Sequence, residues 1–374
     1  MKKDIPVLAK YLLVVATTFA LVYVIAQNDA AAQAARPANA TAAATPAAAT
    51  NAARYVSAGP FSIETSEATW RDEARKRDIP VRLYAPVADD KKVAGKSSSS
   101  SNSSNSNSFP VILFSHGLGG NRMGGKLWAE HWASYGYVVV AMQHAGSDEA
   151  LWKDRPPREI IPSMKAGMTL SNLGLRVNDV RFVIDEIIRR TAARETAFVN
   201  ADPKRLGMSG HSFGAQTTLA VSGQKAGSIG GQAGLDTRIV SAIAFSPNAR
   251  NKINVAKQFG DIRIPFFSIT GTKDGSILDD STRYEDRMMP YENMPAGGKY
   301  LAVFDGGDHM VFGGHELGGR RPATARDAVI QADVKAASVA FWDATLKNDD
   351  AAKKWLEGGG AKSMLASADV FSFK

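Results

Sequence analysis

The sequence turns on Gly207-Met208-Ser209-Gly210-His211-Ser212-Phe213-Gly214. Within it stands the pattern Gly-x-Ser-x-Gly, as Gly210-His211-Ser212-Phe213-Gly214. The residues ahead of it, Asn200 to Leu206, read as a turn leading into a short strand. Those behind it, Ala215 to Val221, read as a helix buried on one side. A serine between strand and helix sits on a sharp turn with strained backbone angles. Glycines two before and two after let the chain approach itself without a Cβ clash. The turn lifts the hydroxyl out of the sheet and aims a helix N-terminus at it. The pattern alone is weak, because it recurs by chance. An oxyanion loop, an acid and a histidine have to come from the rest of the chain, in that order.

Upstream, Phe109-Pro110-Val111-Ile112-Leu113-Phe114 is a continuous apolar run, as expected of an inner parallel strand covered on both faces. It exits through Ser115-His116-Gly117-Leu118-Gly119-Gly120-Asn121-Arg122, a glycine-rich loop in the place that supplies one oxyanion N–H. His116 reads as a residue that shapes this loop rather than as a base. Trp128 and Trp132, four apart on the next helix, read as packing. Tyr137 to Met142 is a further apolar strand. The stretch from Ala145 to Asn172 has Pro156, Pro157 and Pro162 and no clear period, and reads as an irregular wall or lid of a pocket. From Leu175 to Ile188 an apolar stripe at Val177, Val180, Val183, Ile184, Ile187 and Ile188 predicts a helix.

Downstream, Ile239 to Pro247, Ile264 to Gly271 and Lys299 to Phe304 read as strands, and Val329 to Leu346 as a covering helix. The alternation predicts an α/β fold with a mostly parallel central sheet and helices on both faces. Ligands then bind outside the carboxyl ends of the strands. The second and third of these strands exit through Thr272-Lys273-Asp274-Gly275 and Asp305-Gly306-Gly307-Asp308-His309-Met310. Ser212, Asp274 and His309 thus follow in the chain order of an α/β-hydrolase triad. In that arrangement His309 takes the Ser212 proton during attack and returns it to the leaving group, while Asp274 holds the imidazole tautomer. The N–H groups of Leu118 and Phe213 are the candidate oxyanion donors, an effect worth roughly 2.7–4 kcal/mol per donor. Asp279 and Asp280 stand near Asp274 as alternative acids, whereas Asp305 and Asp308 suit turn caps. His211 is given no chemistry. His144 and His315 lack metal-ligand spacing, and no metal or cofactor is called for.

The 374 residues are 44% hydrophobic and 22% charged, an ordinary globular composition with ample chain for a core. Cysteine is absent, which excludes disulfides, thiol nucleophiles and cysteine-zinc sites. The net charge of +8 comes from scattered Lys and Arg, with small clusters such as Arg71 to Arg77, and reads as solvated surface rather than a nucleic-acid site. Lys2, Lys3 and Lys10 precede an apolar run from Tyr11 to Ala26, with Val24-x-Ala26 or Ala32-x-Ala34 as cleavage sites. Residues 1–28 therefore read as a secretory signal peptide or, uncleaved, as an N-terminal membrane anchor. Residues 29–54 form an Ala-rich tether and 55–374 the folded domain, interrupted by a Ser/Asn run at 97–108 read as a flexible loop. The reading is of an exported protein, periplasmic or secreted.

With these residues placed, the chain resembles the platelet-activating-factor acetylhydrolase and dienelactone-hydrolase-like group of α/β-hydrolases. Phe114-Ser115-His116-Gly117-Leu118-Gly119 with Arg122 is similar to the acetylhydrolase oxyanion loop, and Gly210 to Gly214 to its elbow. Tyr135 to Ala141 and Gln143-His144 are similar to the strand between. The similarity runs from about Arg77 to His309. It implies an esterase that cleaves short or modified acyl groups without a metal, with Leu118 and Phe213 as oxyanion donors. There is one departure. The acetylhydrolases carry their acid just after the strand that follows the elbow, where this chain has Phe245-Ser246-Pro247-Asn248 and no carboxylate. The acid then falls to Asp274, one strand later, as in dienelactone hydrolases and polyester-hydrolysing relatives. That weakens a phospholipid substrate, and the short span from Pro247 to Ile264 has no room for a large lipase lid. The expected activity is hydrolysis of small carboxylic esters through a Ser-His-Asp triad. An amidase or peptidase, a lipid or polyester hydrolase, and a non-catalytic binding module on the same fold are the competing readings.

Overall fold

A computed structural model describes residues 55–87, 108–225, 234–249, 252–276, 278–279, 281–315 and 322–374. Residues 1–28, read as an export signal or anchor, residues 29–54, read as a tether, Asp280 and all of the Ser/Asn run except Ser108 lie outside the described residues. Ser108 itself is held, because Arg205 Nη2 donates to its carbonyl at 2.7 Å and to its hydroxyl at 2.9 Å.

The strands in chain order are β1 (Ser62–Asp72), β2 (Arg77–Val87), β3 (Phe109–Ser115), β4 (Val138–Met142), β5 (Ala201–His211), β6 (Ile239–Phe245), β7 (Phe266–Lys273), β8 (Lys299–Asp308) and β9 (Val370–Phe373). They form a nine-stranded sheet ordered β1-β2-β4-β3-β5-β6-β7-β8-β9. From β4 across to β8 each neighbouring pair is parallel, and β1, β2 and β9 are added antiparallel at the edges. This is the α/β-hydrolase architecture that the alternation of elements predicts.

The inner strands are apolar on both sides because both sides are covered. On β3, Ile112 and Phe114 join a core with Trp128, Trp132, Phe245 and Trp342, while Val111 and Leu113 join one with Val177, Val180 and Ile184. Trp128 stacks on Phe245 at 5.5 Å between ring centroids, and Trp132 meets Trp342 edge-on at 5.7 Å. Their indole N–H groups donate to Phe312 O and Ser338 Oγ. Both tryptophans are therefore packing groups, each contributing on the order of 1.5–3 kcal/mol or more through buried area. The helix Leu170–Ala192 buries Leu173, Val177, Val180, Val183, Ile184 and Ile187. Ile188 departs from the predicted stripe. It is exposed, since one step past Ile187 the helix has turned by about 100° away from the sheet.

Three further readings are corrected. The stretch from Ala145 to Asn172 is not irregular: it holds a 3₁₀ turn, Glu149–Leu151, and a helix, Pro157–Gly167. Pro156 and Pro157 start that helix instead of breaking it, because proline at the first turn has no N–H to leave unpaired. The covering helix begins four residues earlier than read, at Ala325, where Thr324 and Asp327 form a reciprocal capping box. Lastly, Arg75 and Arg77 are not free surface cations, since both reach the fully buried carboxylate of Asp179.

The register brings the carboxyl ends together. Ser115 of β3 lies beside Gly210 of β5, His211 of β5 beside Phe245 of β6, and Lys273 of β7 beside Asp308 of β8. The loops that follow these residues emerge along one edge.

Candidate active site

Ser212 occupies the turn between β5 and the helix Phe213–Val221, with φ 58° and ψ −113°. A non-glycine residue held there stores about 1–3 kcal/mol of strain. The flanking glycines are required by close approach: a Cβ on Gly214 would stand 1.8 Å from the Ser115 carbonyl oxygen, and one on Gly210 2.4 Å from that of Gly214. The turn is pinned by Ser212 N–H donating to Phe245 O at 2.9 Å.

His309 follows β8. Its Nε2 lies 2.9 Å from Ser212 Oγ, and its Nδ1 2.7 Å from Asp274 Oδ1. With Nδ1–H donated to the carboxylate, Nε2 is left to accept the serine proton. Asp308, beside it, accepts the N–H groups of Met310 and Val311 and so shapes the turn. Asp279 caps Ser281 and Thr282, and Asp305 accepts from Thr272. The structure thus brings Asp274 to His309 and engages each of these three neighbouring carboxylates in local turns or loop contacts.

Asp274 is wholly buried, and Thr270 Oγ1 donates to its Oδ2 at 2.8 Å. Burial works to raise its pKa, but His309 and Arg287 outweigh that and hold the carboxyl below its usual range. Arg287, from the helix Tyr284–Asn293, is itself buried and was not legible in the sequence. Its Nε lies 2.8 Å from Asp274 Oδ1 and donates to the Asp274 carbonyl at 2.6 Å. Its Nη1 donates to Ser246 O and its Nη2 to Gly275 O. The guanidinium therefore ties the loops after β6 and β7 into one unit. His211 was given no chemistry, yet it lies 2.9 Å from the His309 carbonyl through Nε2, with the two rings 4.6 Å apart. Burial, and then the neighbouring His309, keep His211 well below the ordinary histidine pKa, so it holds the backbone as a neutral ring.

Leu118 and Phe213 both line the cavity above Ser212. Gly119 N–H is engaged by Ser147 O and Gly120 N–H by Gly117 O, whereas the N–H of Leu118, just ahead of them, has no acceptor among the described residues. Phe213 opens the helix behind the elbow, so its N–H belongs to the positive end of the helix dipole. His116 borders the cavity but is no part of the Ser212–His309–Asp274 chain. Its Nδ1 is 2.6 Å from Gly117 O and its Nε2 accepts the His144 N–H, and burial first, then Arg176, keeps it neutral.

A second serine–histidine–aspartate chain lies at the end of β3 and beneath the loop that follows it. Ser115 Oγ is 2.9 Å from His144 Nε2, and His144 Nδ1 is 3.0 Å from Asp179 Oδ2. All three side chains are fully buried, so no substrate reaches them. Asp179 also binds Arg77 through both carboxylate oxygens and Arg75 through one.

The cavity over Ser212 has a volume of about 160 Å³ and is walled by Leu118, Met164, Met168, Phe213, Leu278 and Met310. Met164 and Met168 come from the segment that the sequence marks as a wall. Trp152 of the same segment donates its indole N–H to Gly119 O at 2.6 Å. Among the described residues no cluster of His, Asp or Glu is arranged to hold a metal ion.

The sheet order, the strained serine after β5 and the convergent loops define an α/β-hydrolase. Residues 58–153 match the family described as platelet-activating factor acetylhydrolase, isoform II, and over that stretch the chain is similar to that family of α/β-hydrolases. The matched stretch takes in β1, ahead of where the sequence resemblance begins, and the glycine-rich loop after β3, and it ends before the turn at Ser212. A likeness to that family implies a hydrolase of ester bonds. No curated protein matches the sequence.

Proposed function

We propose that the protein is an exported serine esterase acting on carboxylic esters of small acyl groups, with Ser212, His309 and Asp274 as its triad. The observation that carries this reading is the unbroken chain from Ser212 Oγ through the His309 ring to Asp274, at 2.9 and 2.7 Å, opening on a cavity. Ser212 Oγ attacks the acyl carbon while its proton passes to His309 Nε2. The carbonyl π electrons move onto oxygen, and the N–H groups of Leu118 and Phe213 receive that oxyanion. Collapse expels the alcohol, which takes the proton from His309 and leaves an acyl-enzyme on Ser212. Water, deprotonated by the same histidine, then releases the acid. Asp274 stays ionised throughout, as its depressed pKa requires.

The cavity size supports a small acyl group. At about 160 Å³ it is close to the roughly 150 Å³ space that accommodates a benzene-sized molecule. The export reading rests on residues 1–28 alone, and a periplasmic or secreted location is part of the proposal. Hydrolysis of p-nitrophenyl esters from acetate to palmitate tests the activity, with Ser212→Ala as control. A Ser212-dependent rate that falls beyond butyrate is the expected result. A rate that climbs toward palmitate favours a lipid or polyester substrate. Turnover that survives Ser212→Ala sinks the triad.

A further inference from the structure

The two proposed oxyanion donors belong to different segments, the exit of β3 and the start of the helix after β5. Something must hold their spacing. Arg176, on the helix Leu170–Ala192, is fully buried and touches both segments. Its Nη1 donates to the His116 carbonyl at 2.6 Å, two residues before Leu118. The same guanidinium carbon lies 4.4 Å from the centroid of the Phe213 ring. Nε and Nη2 donate to Ser147, to its hydroxyl at 2.9 Å and its carbonyl at 3.3 Å. That Ser147 carbonyl also receives the Gly119 N–H, so the bend at 147 grips the loop from its other side. Nη1 further approaches Ser115 Oγ at 3.3 Å, which connects the guanidinium to His144 and Asp179.

A buried cation is costly unless its donors are satisfied, and the five donors of a guanidinium form a rigid planar fork. Here the fork spans carbonyls and hydroxyls of β3, its exit loop and the 147 bend, with the Phe213 ring on its face. We propose that Arg176 is a positioning residue, which sets the separation of the Leu118 and Phe213 N–H groups and thereby the fit of the oxyanion hole. It touches no reacting atom. The proposal rests on the serine esterase reading above.

A positioning role and a purely structural one differ in what they move. Misplacing a donor by about 1 Å costs about 100-fold in the chemical step. It acts in the transition state, so kcat falls while KM stays within about 3-fold. The experiment compares wild type, Arg176→Met, Arg176→Lys and Ser147→Ala with p-nitrophenyl butyrate. It also measures the affinity of a short-chain trifluoromethyl ketone, which adds to a serine as an oxyanion, and records the unfolding curve of each protein.

The expected result is a kcat about 100-fold lower in Arg176→Met, partial recovery in Arg176→Lys, and ketone affinity falling in step with kcat/KM. If Arg176→Met does not fold, Ser147→Ala decides. It removes one acceptor of the fork, and a kcat loss of about 3–10-fold at unchanged KM upholds the proposal. Folded variants with wild-type kcat and ketone affinity, or with a change confined to the unfolding curve or to KM, overturn it. A wild type without Ser212-dependent turnover overturns the esterase reading and this proposal together; an active wild type with unaffected variants overturns this one alone.

Discussion

Arg287 Nη2 lies 3.3 Å from His309 Nδ1, so a guanidinium stands against the same ring nitrogen that faces Asp274. The arginine also donates to the carbonyls of Ser246, Asp274 and Gly275. Burial lowers its own pKa, and Asp274 and then Asp286 counter that. Replacing it leaves a buried carboxylate and three carbonyls short of donors. Arg287→Met is therefore expected to lower stability by about 3–5 kcal/mol. Urea unfolding checks this: the midpoint falls at an unchanged slope, and an unaltered midpoint refutes the role.

His131 gives a pH dependence with a definite sign. It is buried, Nε2 lies 2.8 Å from Tyr55 O, and burial brings its pKa down to about 4. The unfolded chain takes up this proton near pH 6.5, the folded one only near 4. Its contribution to stability is thus complete above about 6.5 and is lost as the pH falls toward 4. The melting temperature should fall over that window, and His131→Gln should flatten the slope by one proton's share. His144, likewise brought down to about 4 by burial and Arg176, keeps part of the slope in the variant.

Asp333 acts in the opposite direction. Its carboxyl is pushed up to about 7 by burial and then by Asp369, with Arg326 only partly countering. A raised acid favours the folded state only while protonated. Its contribution is present below about pH 3.9, the unfolded value, and is lost as the pH rises through about 7. Asp333→Asn should accordingly raise the melting temperature at pH 8 and have little effect at pH 4. Equal effects at the two values would remove the explanation.

Met164 lines the cavity and packs on the loop after β3. A Cβ placed on Gly119 would meet its thioether at 2.8 Å, so the side chain packs directly on that loop. Met164→Ala is expected to raise kcat/KM for octanoate relative to butyrate by about 10-fold, the worth of a hydrophobic contact of this size. The p-nitrophenyl series measures the ratio. A constant ratio would assign the limit to another wall.

Much of this was legible in the chain. Gly210 and Gly214 announce the elbow because no side chain fits against Ser115 and the elbow's own backbone. The order Ser212, Asp274, His309 follows from strands whose ends lie in register. What escaped has a physical reason. β1 is an edge strand whose Ser, Thr and Glu residues face mostly outward, so it carries little apolar alternation. The helix Pro157–Gly167 contains Pro162, and its one fully buried residue is Gly167. Arg176 and Arg287 bind mainly carbonyl oxygens, which every residue has, so no sequence pattern marks their partners.

The buried chain Ser115–His144–Asp179 has one more consequence. A distance template for serine, histidine and aspartate fits two sets of the described residues, with nearly the same spacings. Solvent contact is what separates them: His309 keeps a fifth of its side chain exposed, and His144 none. The inner copy hangs from β3, the strand that leads into the proposed oxyanion loop, in the role of a keystone under an arch. Chemistry needs a door as well as a geometry, and only the outer copy has one.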